Sequence, residues 1–278
     1  MIEVNGVELC SEVFGAPSDP PILLIMGIGA SMLWWDEEFC RMLADRGRFV
    51  IRYDHRDTGR SVTYEPGHPG YTGFDLMADA AGVLDSYGLA AAHVVGVSAG
   101  GAFAQILALD FADRVLSLAL ISTTPATPVD RSLPPPTQAF SRFVRERRVD
   151  WSNVESVIDY LVDYSCLLAG DQRPCDEVAL RALVRRDIDR ANNAASLQNH
   201  GLIDDGDRSH PPLSSITAPT LVIHGSADPM FPLAHGDALS AEIPGATLLV
   251  LDRAGHGVDR ADWEIIVPAI FNLSRSKV

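Results

Sequence analysis

Ser98 stands at the centre of the pentapeptide Gly96-Val97-Ser98-Ala99-Gly100. A serine hydroxyl is a weak nucleophile until a base takes its proton, and the base needs an acid to fix its tautomer. His256, in Asp252-Arg253-Ala254-Gly255-His256-Gly257, is the candidate base, and Asp228, in Gly225-Ser226-Ala227-Asp228-Pro229, is the candidate acid. Together they describe a site for acyl transfer, in which serine attacks a carbonyl carbon. The attack puts negative charge on the carbonyl oxygen, and two backbone N–H groups normally receive it. Ala99, directly after the nucleophile, offers one. The run Met26-Gly27-Ile28-Gly29 offers the other, with Ile28 as first choice and Gly27 as second.

These residues need elements that hold them at one edge of a sheet. Short apolar, β-branched runs recur along the chain with helical patterns between them, the mark of a mostly parallel sheet covered on both faces. Strands are expected at 7–13, 22–26, 49–53, 93–97, 116–121, 220–224 and 247–251. Helices are expected at 35–46, 74–87, 99–109, 233–242 and 259–273. The later strands read as nearly continuous apolar runs, as for strands buried on both faces. Ser98 then falls on a sharp strand-to-helix turn, where glycines two before and two after remove side chains that would collide. Asp228 and His256 fall in loops just past the carboxyl ends of strands, where open α/β sheets place their chemistry. The other histidines fit less well. His224 lies at a strand end, His93 begins the strand below the nucleophile, and His68 lies in a Pro/Gly loop. His200, His210 and His235 lack the strand-then-loop setting. The turn Asp54-His55-Arg56-Asp57-Thr58-Gly59-Arg60-Ser61 could bring Arg56 or His55 to substrate, but reads more readily as a buried knot of ion pairs and hydrogen bonds that ties neighbouring loops.

One connection breaks the rhythm, between Ile121 and Thr220. It opens with Pro125, Pro128 and Pro134-Pro135-Pro136, closes with Pro211-Pro212, and carries helical patterns at 153–168 and 176–190. Residues 125–212 are therefore expected to form an inserted helical cap on a core made of 1–124 and 213–278. The arginines of this stretch read as solvated helix faces paired with nearby Asp and Glu. A net charge of −15 over 278 residues argues against nucleic acid or an anionic membrane as partner. No apolar run is long enough to span a bilayer and no signal peptide is visible, so a cytoplasmic location is expected. Cys10, Cys40, Cys166 and Cys175 have no metal-ligand spacing and are expected as free thiols. Monomer and homodimer are both open.

The segments Asp54-x-Arg-x-x-Gly-x-Ser61, Gly96-x-Ser-x-Gly100, Asp228-Pro229 and Gly255-His256 resemble the α/β-hydrolase superfamily. More narrowly, the run from Arg52 to Ser61, with Met26-Gly27 and His93-Val94-Val95-Gly96, is similar to the aclacinomycin methylesterase family. That likeness covers the sheet, about two thirds of the chain, and implies the α/β-hydrolase fold with nucleophile Ser98, acid Asp228 and base His256. It also implies hydrolysis of a polyketide methyl ester. The chain departs from many family members at Met26, where they carry His, and at Ala99, where they carry Met.

The expected reaction is two-step hydrolysis of a carboxylic ester through an acyl-enzyme on Ser98, with no metal or organic cofactor. The substrate is expected to be a small hydrophobic ester, met by Leu33, Trp34, Trp35, Met230 and Phe231, with Met32 and Phe103 as further candidates. The same triad also serves carbon–carbon bond hydrolases and acyltransferases. A ligand receptor on a hydrolase fold is the non-enzymatic alternative.

Overall fold

The computed structural model describes residues 1–204 and 208–275. The chain begins with a hairpin, β1 (Ile2–Val4) and β2 (Val7–Leu9), turned by Asn5-Gly6 with both residues at positive φ. Asn-Gly suits such a turn because neither residue resists the left-handed region strongly. The main sheet is built from β3 (Ser11–Phe14), β4 (Pro21–Ile25), β5 (Phe49–Tyr53), β6 (Ala92–Val97), β7 (Val115–Ile121), β8 (Thr220–Gly225) and β9 (Thr247–Leu251). Its order is β3-β5-β4-β6-β7-β8-β9, and only β3 runs antiparallel to its neighbour. This is the α/β-hydrolase architecture that the motifs imply. The strand expected over 7–13 is two strands, because the chain leaves the hairpin at Cys10 to join β5 across the sheet.

Side chains alternate across the central strands. Leu23, Ile25, Val94, Leu118, Leu120 and Val222 enter one core with α2 (Gly73–Ser86), α3 (Ala99–Asp110) and α7 (Ala234–Glu242). Ile22, Leu24, Val95, Val97, Ala119, Ile121 and Ile223 enter the other with α1 (Glu37–Ala44) and α8 (Trp263–Leu273). Burial on both faces explains the unbroken apolar runs of β4, β6, β7 and β8. It does not hold for β9. That strand has a single neighbour, and its Val250 is 43% exposed although its sequence is as apolar as the others.

Between β7 and β8 the chain forms α4 (Gln138–Glu146), α5 (Val154–Leu168) and α6 (Glu177–Arg190), followed by a 3-10 turn over Ala194–Gly201. These elements have a small core of their own from Val157, Ile158, Val162, Val184, Ile188 and Leu197. Helix α4 is not expected from the sequence, and only its Phe140 is buried. Arg147, Arg181 and Arg185 pair as expected, each 2.7 Å from Asp163, Asp159 and Glu155 respectively, but Arg190 is mostly buried and pairs with Asp54 of the core instead. Among the described residues no helix is long and apolar enough to cross a membrane.

The cysteine reading needs correction. Cys166, in the last turn of α5, is disulfide-bonded to Cys175, before α6, while Cys10 and Cys40 are free. A separation of nine residues is not a metal or framework spacing, so only the turn that brings the two together reveals the pair. Closing so short a loop restricts the unfolded chain by roughly 2–3 kcal/mol. Replacing both cysteines by serine should lower the unfolding free energy from urea titration by that much, and added reductant should then shift the wild type alone. Equal reductant sensitivity in both proteins would rule out this source of stability.

Candidate active site

Ser98 lies between the end of β6 and the first residue of α3, with φ 55° and ψ −124°. Its N–H donates to Ile121 O at 2.9 Å, and its carbonyl accepts from Thr123 Oγ1 at 2.7 Å. The flanking glycines are required by contact. A Cβ on Gly96 would overlap the Gly100 carbonyl, and a Cβ on Gly100 would overlap the carbonyls of Ile25 and Met26. The turn is thus clamped against the end of β4. Ala99, as the first helical residue, has no acceptor within its own helix for its N–H.

The loop after β4 runs beside the nucleophile. A Cβ on Gly27 would sit 3.3 Å from Ser98 Cβ and 3.8 Å from its Oγ. Gly29 has φ +74°, and its N–H donates to His200 Nδ1 at 2.7 Å. Ile28, between them, is 43% exposed. Among the described residues its N–H is taken by no protein acceptor.

Asp228 follows β8 and is buried. Its Oδ1 accepts the N–H groups of Met230 and Phe231, both at 2.8 Å, and its Oδ2 lies 2.8 Å from His256 Nδ1. Three donors on one carboxylate hold it in a single orientation. His224, one turn below, donates from Nε2 to Phe231 O at 2.7 Å, and burial lowers its pKa. It is a support for the acid loop, as its place at a strand end suggests. His256 is held from both sides: its own N–H donates to Leu168 O at 2.7 Å, and the N–H of Gly257 to Ser122 Oγ at 3.0 Å. Ser98 is bonded to Ile121 and Gly257 to Ser122, so the loops of Ser98 and His256 meet on adjacent residues at the end of β7. Asp252 is exposed, consistent with a turn role.

The knot after β5 is built as expected, with the charged side chains of Asp54, Arg56 and Asp57 committed to protein partners. Arg56 makes a paired contact with Asp79 at 2.7 and 2.8 Å. Asp54 accepts from Met32 N–H and Arg60 N–H and pairs with Arg190 at 2.7 Å. Asp57 accepts from Tyr71 Oη, Tyr64 N–H and Asn199 Nδ2. Arg56 and His55 are both buried.

The expected hydrophobic contacts divide. Phe231 lies 5.6 Å from His256, ring centre to ring centre, and Met230 is bound beside it through Asp228. Trp34 donates its indole N–H to Asp187 Oδ2 at 2.8 Å and packs on the inserted helices. Trp35 is not at the site. It is 1% exposed and stacks on Phe39 in the core under α1 and α8. The 3-10 turn at Met32–Trp34 sends neighbouring tryptophans to different layers, which residue type alone does not reveal. Met32 and Phe103 are likewise core residues. Two groups escaped the sequence reading because they belong to the inserted segment. One is the Leu168 carbonyl that holds the His256 loop. The other is Tyr164, whose hydroxyl pKa is pushed up by burial, by Tyr160 and by the charge of Asp228.

A serine on a strand-to-helix elbow, with a carboxylate–imidazole pair on two later strand-end loops of this sheet, defines an α/β-hydrolase. The chain belongs to the α/β-hydrolase fold family, whose model matches residues 20–258. It is 36% identical to rhodomycin D methylesterase DauP from a Streptomyces species, over 97% of this chain and 96% of that protein. It is 35% identical to rhodomycin D methylesterase DnrP from Streptomyces peucetius, with the same coverage. Among solved structures it is similar to a meta-cleavage product hydrolase from Pseudomonas fluorescens. There the TM-score is 0.77 at 21% identity, over 99% of this chain and 96% of that one, a likeness of fold alone.

Two outcomes follow from this geometry. Gly100→Ala should leave little folded protein, because the added methyl meets main chain that cannot move aside; normal yield and thermal stability would contradict the clamp. His93 and His200 are each pulled down to about 4 by burial. The unfolded chain binds their protons near the ordinary value of 6.5, so it holds more protons than the folded chain between about 6.5 and 4. Stability should therefore fall as pH drops through that window, and His200→Asn should flatten the decline in urea midpoint.

Proposed function

We propose that the protein hydrolyses the methyl ester of a bulky, hydrophobic, polyketide-like acid, with Ser98 as nucleophile, His256 as base and Asp228 as orienting acid. That it is a carboxylic ester hydrolase rests on its match to methylesterases along nearly its whole length. The observation that carries the assignment of roles is the 2.8 Å bond between His256 Nδ1 and a fully engaged Asp228, on loops that meet the Ser98 elbow. With Nδ1 donating to the carboxylate, Nε2 is the nitrogen with a lone pair, and it takes the Ser98 proton as Oγ attacks the ester carbonyl. The oxyanion is received by the N–H groups of Ala99 and Ile28, with Gly27 as the second candidate in that loop. His256 then gives its proton to the departing methoxide, releasing methanol and leaving the acyl group on Ser98. A water, deprotonated by His256, cleaves the acyl-enzyme and restores the hydroxyl.

Residues 125–212 act in this reading as the cap over the site. Leu33, Trp34, Met230 and Phe231 are the hydrophobic contacts, and Tyr164 joins them from α5. Asp187 keeps the Trp34 indole N–H occupied, so the ring offers substrate its apolar surface.

Hydrolysis of aromatic polyketide methyl esters, run beside p-nitrophenyl esters from acetate to decanoate, tests the proposal. Ser98→Ala should lower kcat on the order of 10⁵–10⁶-fold. Asp228→Asn should lower it about 10⁴-fold, because an amide no longer favours the required tautomer. A Ser98→Ala protein that keeps wild-type turnover would overturn the assignment.

A further inference from the structure

Two of the buried histidines that the reaction above does not use, His55 and His200, end on the loop that carries Ile28. His55 Nε2 lies 2.9 Å from Met26 O, which as a carbonyl only accepts, so Nε2 carries the hydrogen. His55 Nδ1 is buried and has no partner among the described residues. His200 has the opposite polarity toward the loop: its Nδ1 accepts the Gly29 N–H at 2.7 Å, and its Nε2 lies 2.8 Å from Arg56 O and donates to it. The two rings lie edge to face with centres 6.3 Å apart. Arg56, whose carbonyl holds His200, is itself fixed by its paired contact with Asp79. His200, accepting at Nδ1 and donating at Nε2, is thereby fixed as the neutral Nε2–H tautomer, while burial lowers the pKa of His55 and favours its neutral form.

We propose that His55 and His200 are positioning residues for the oxyanion loop, one fixing its entry through Met26 O and the other its exit through Gly29 N–H. This rests on the triad reading above. With the carbonyl before Gly27 and the N–H after Ile28 both committed, rotation of the intervening peptides is restricted, and the unclaimed Ile28 N–H is the donor left for the reacting carbonyl. Gly27, packed against Ser98, sets the distance, while the histidines set the direction. Burial pulls His200 down to about 4, so its Nδ1 keeps its lone pair throughout the neutral range. His200 belongs to the inserted segment, so the segment above the site also aims the oxyanion donor.

The alternative is that the pair merely fills space, and conservative variants separate the two. His200→Phe keeps a ring and removes the acceptor; His200→Asn returns an acceptor oxygen close to Nδ1. His55→Leu removes the donor to Met26; His55→Gln returns an N–H near Nε2. Ester hydrolysis is measured per site titrated by a fluorophosphonate at Ser98, which corrects for misfolded protein. His200→Phe and His55→Leu should each lose about 10–100-fold in kcat, a fraction of what a deleted oxyanion donor costs. KM should change by less than about twofold, since the loop acts on the transition state. Affinity for a trifluoromethyl ketone should fall in parallel with kcat/KM, and His200→Asn and His55→Gln should recover most of both.

In the wild type, a scalar coupling across the hydrogen bond between the Gly29 amide and His200 Nδ1, read by ¹⁵N NMR, checks the contact even if a variant fails to fold. Absence of that coupling overturns the clamp, as does unchanged kcat per titrated site in His200→Phe. A wild type that fluorophosphonate does not label at Ser98 instead overturns the triad reading, and the histidines' role with it.

Discussion

A serine backbone at φ 55° costs roughly 1–3 kcal/mol relative to a relaxed one, and it persists only where its surroundings leave no alternative. Here those surroundings are main chain. The Gly96 and Gly100 backbones press against each other and against the end of β4, while Ile121 and Thr123 bond the serine's own peptide groups. The same packing that forces the strained turn brings the loop after β4 into contact with Ser98. Ser98 and the Gly27–Gly29 loop are thus placed by one constraint.

Asp228 and His256 depend on that constraint at one remove. Ser122 continues β7 from the residue that bonds Ser98, and it holds Gly257 beside His256. Asp228 is tied to its own loop by two N–H groups and reaches His256 with its remaining oxygen, so the two later loops are joined. The inserted segment completes the frame at two places. Leu168 O bonds His256, Ala169 packs on Gly255, and Arg173 pairs with Asp262 at 2.6 Å. The Cys166–Cys175 bridge closes this stretch of chain. At the other end, Arg190, Asn192, Asn199 and His200 reach the turn after β5 and the loop after β4. A segment fastened to both halves of the site is part of its framework, more than a loose cover.

Much of this was legible in the residues. The sheet strands announced themselves because burial on both faces demands unbroken apolar runs, and Gly-x-Ser-x-Gly marked the elbow because no side chain fits at either glycine. The polar turn after β5 was readable as a structural knot because so many charges in sequence must find partners when buried. The errors have equally physical causes. Edge strand β9 looks central because its composition matches that of its neighbours, while exposure depends on what lies beside it. Trp34 and Trp35 are identical in type and adjacent, yet a 3-10 turn sends one to the inserted helices and the other to the core.

Local chemistry and periodicity were enough for the fold class, the strand-end positions of Ser98, Asp228 and His256, and the glycines that let the chain turn there. Those features depend on near neighbours along the chain and on repeating burial, both of which are written in residue order. The Cys166–Cys175 pairing, the Leu168 carbonyl behind His256 and the hold of His55 and His200 on the Gly27 loop emerged only in three dimensions. Each joins groups brought together by the way the inserted segment packs. A backbone carbonyl or a histidine tautomer has no signature in sequence until its partner is in place.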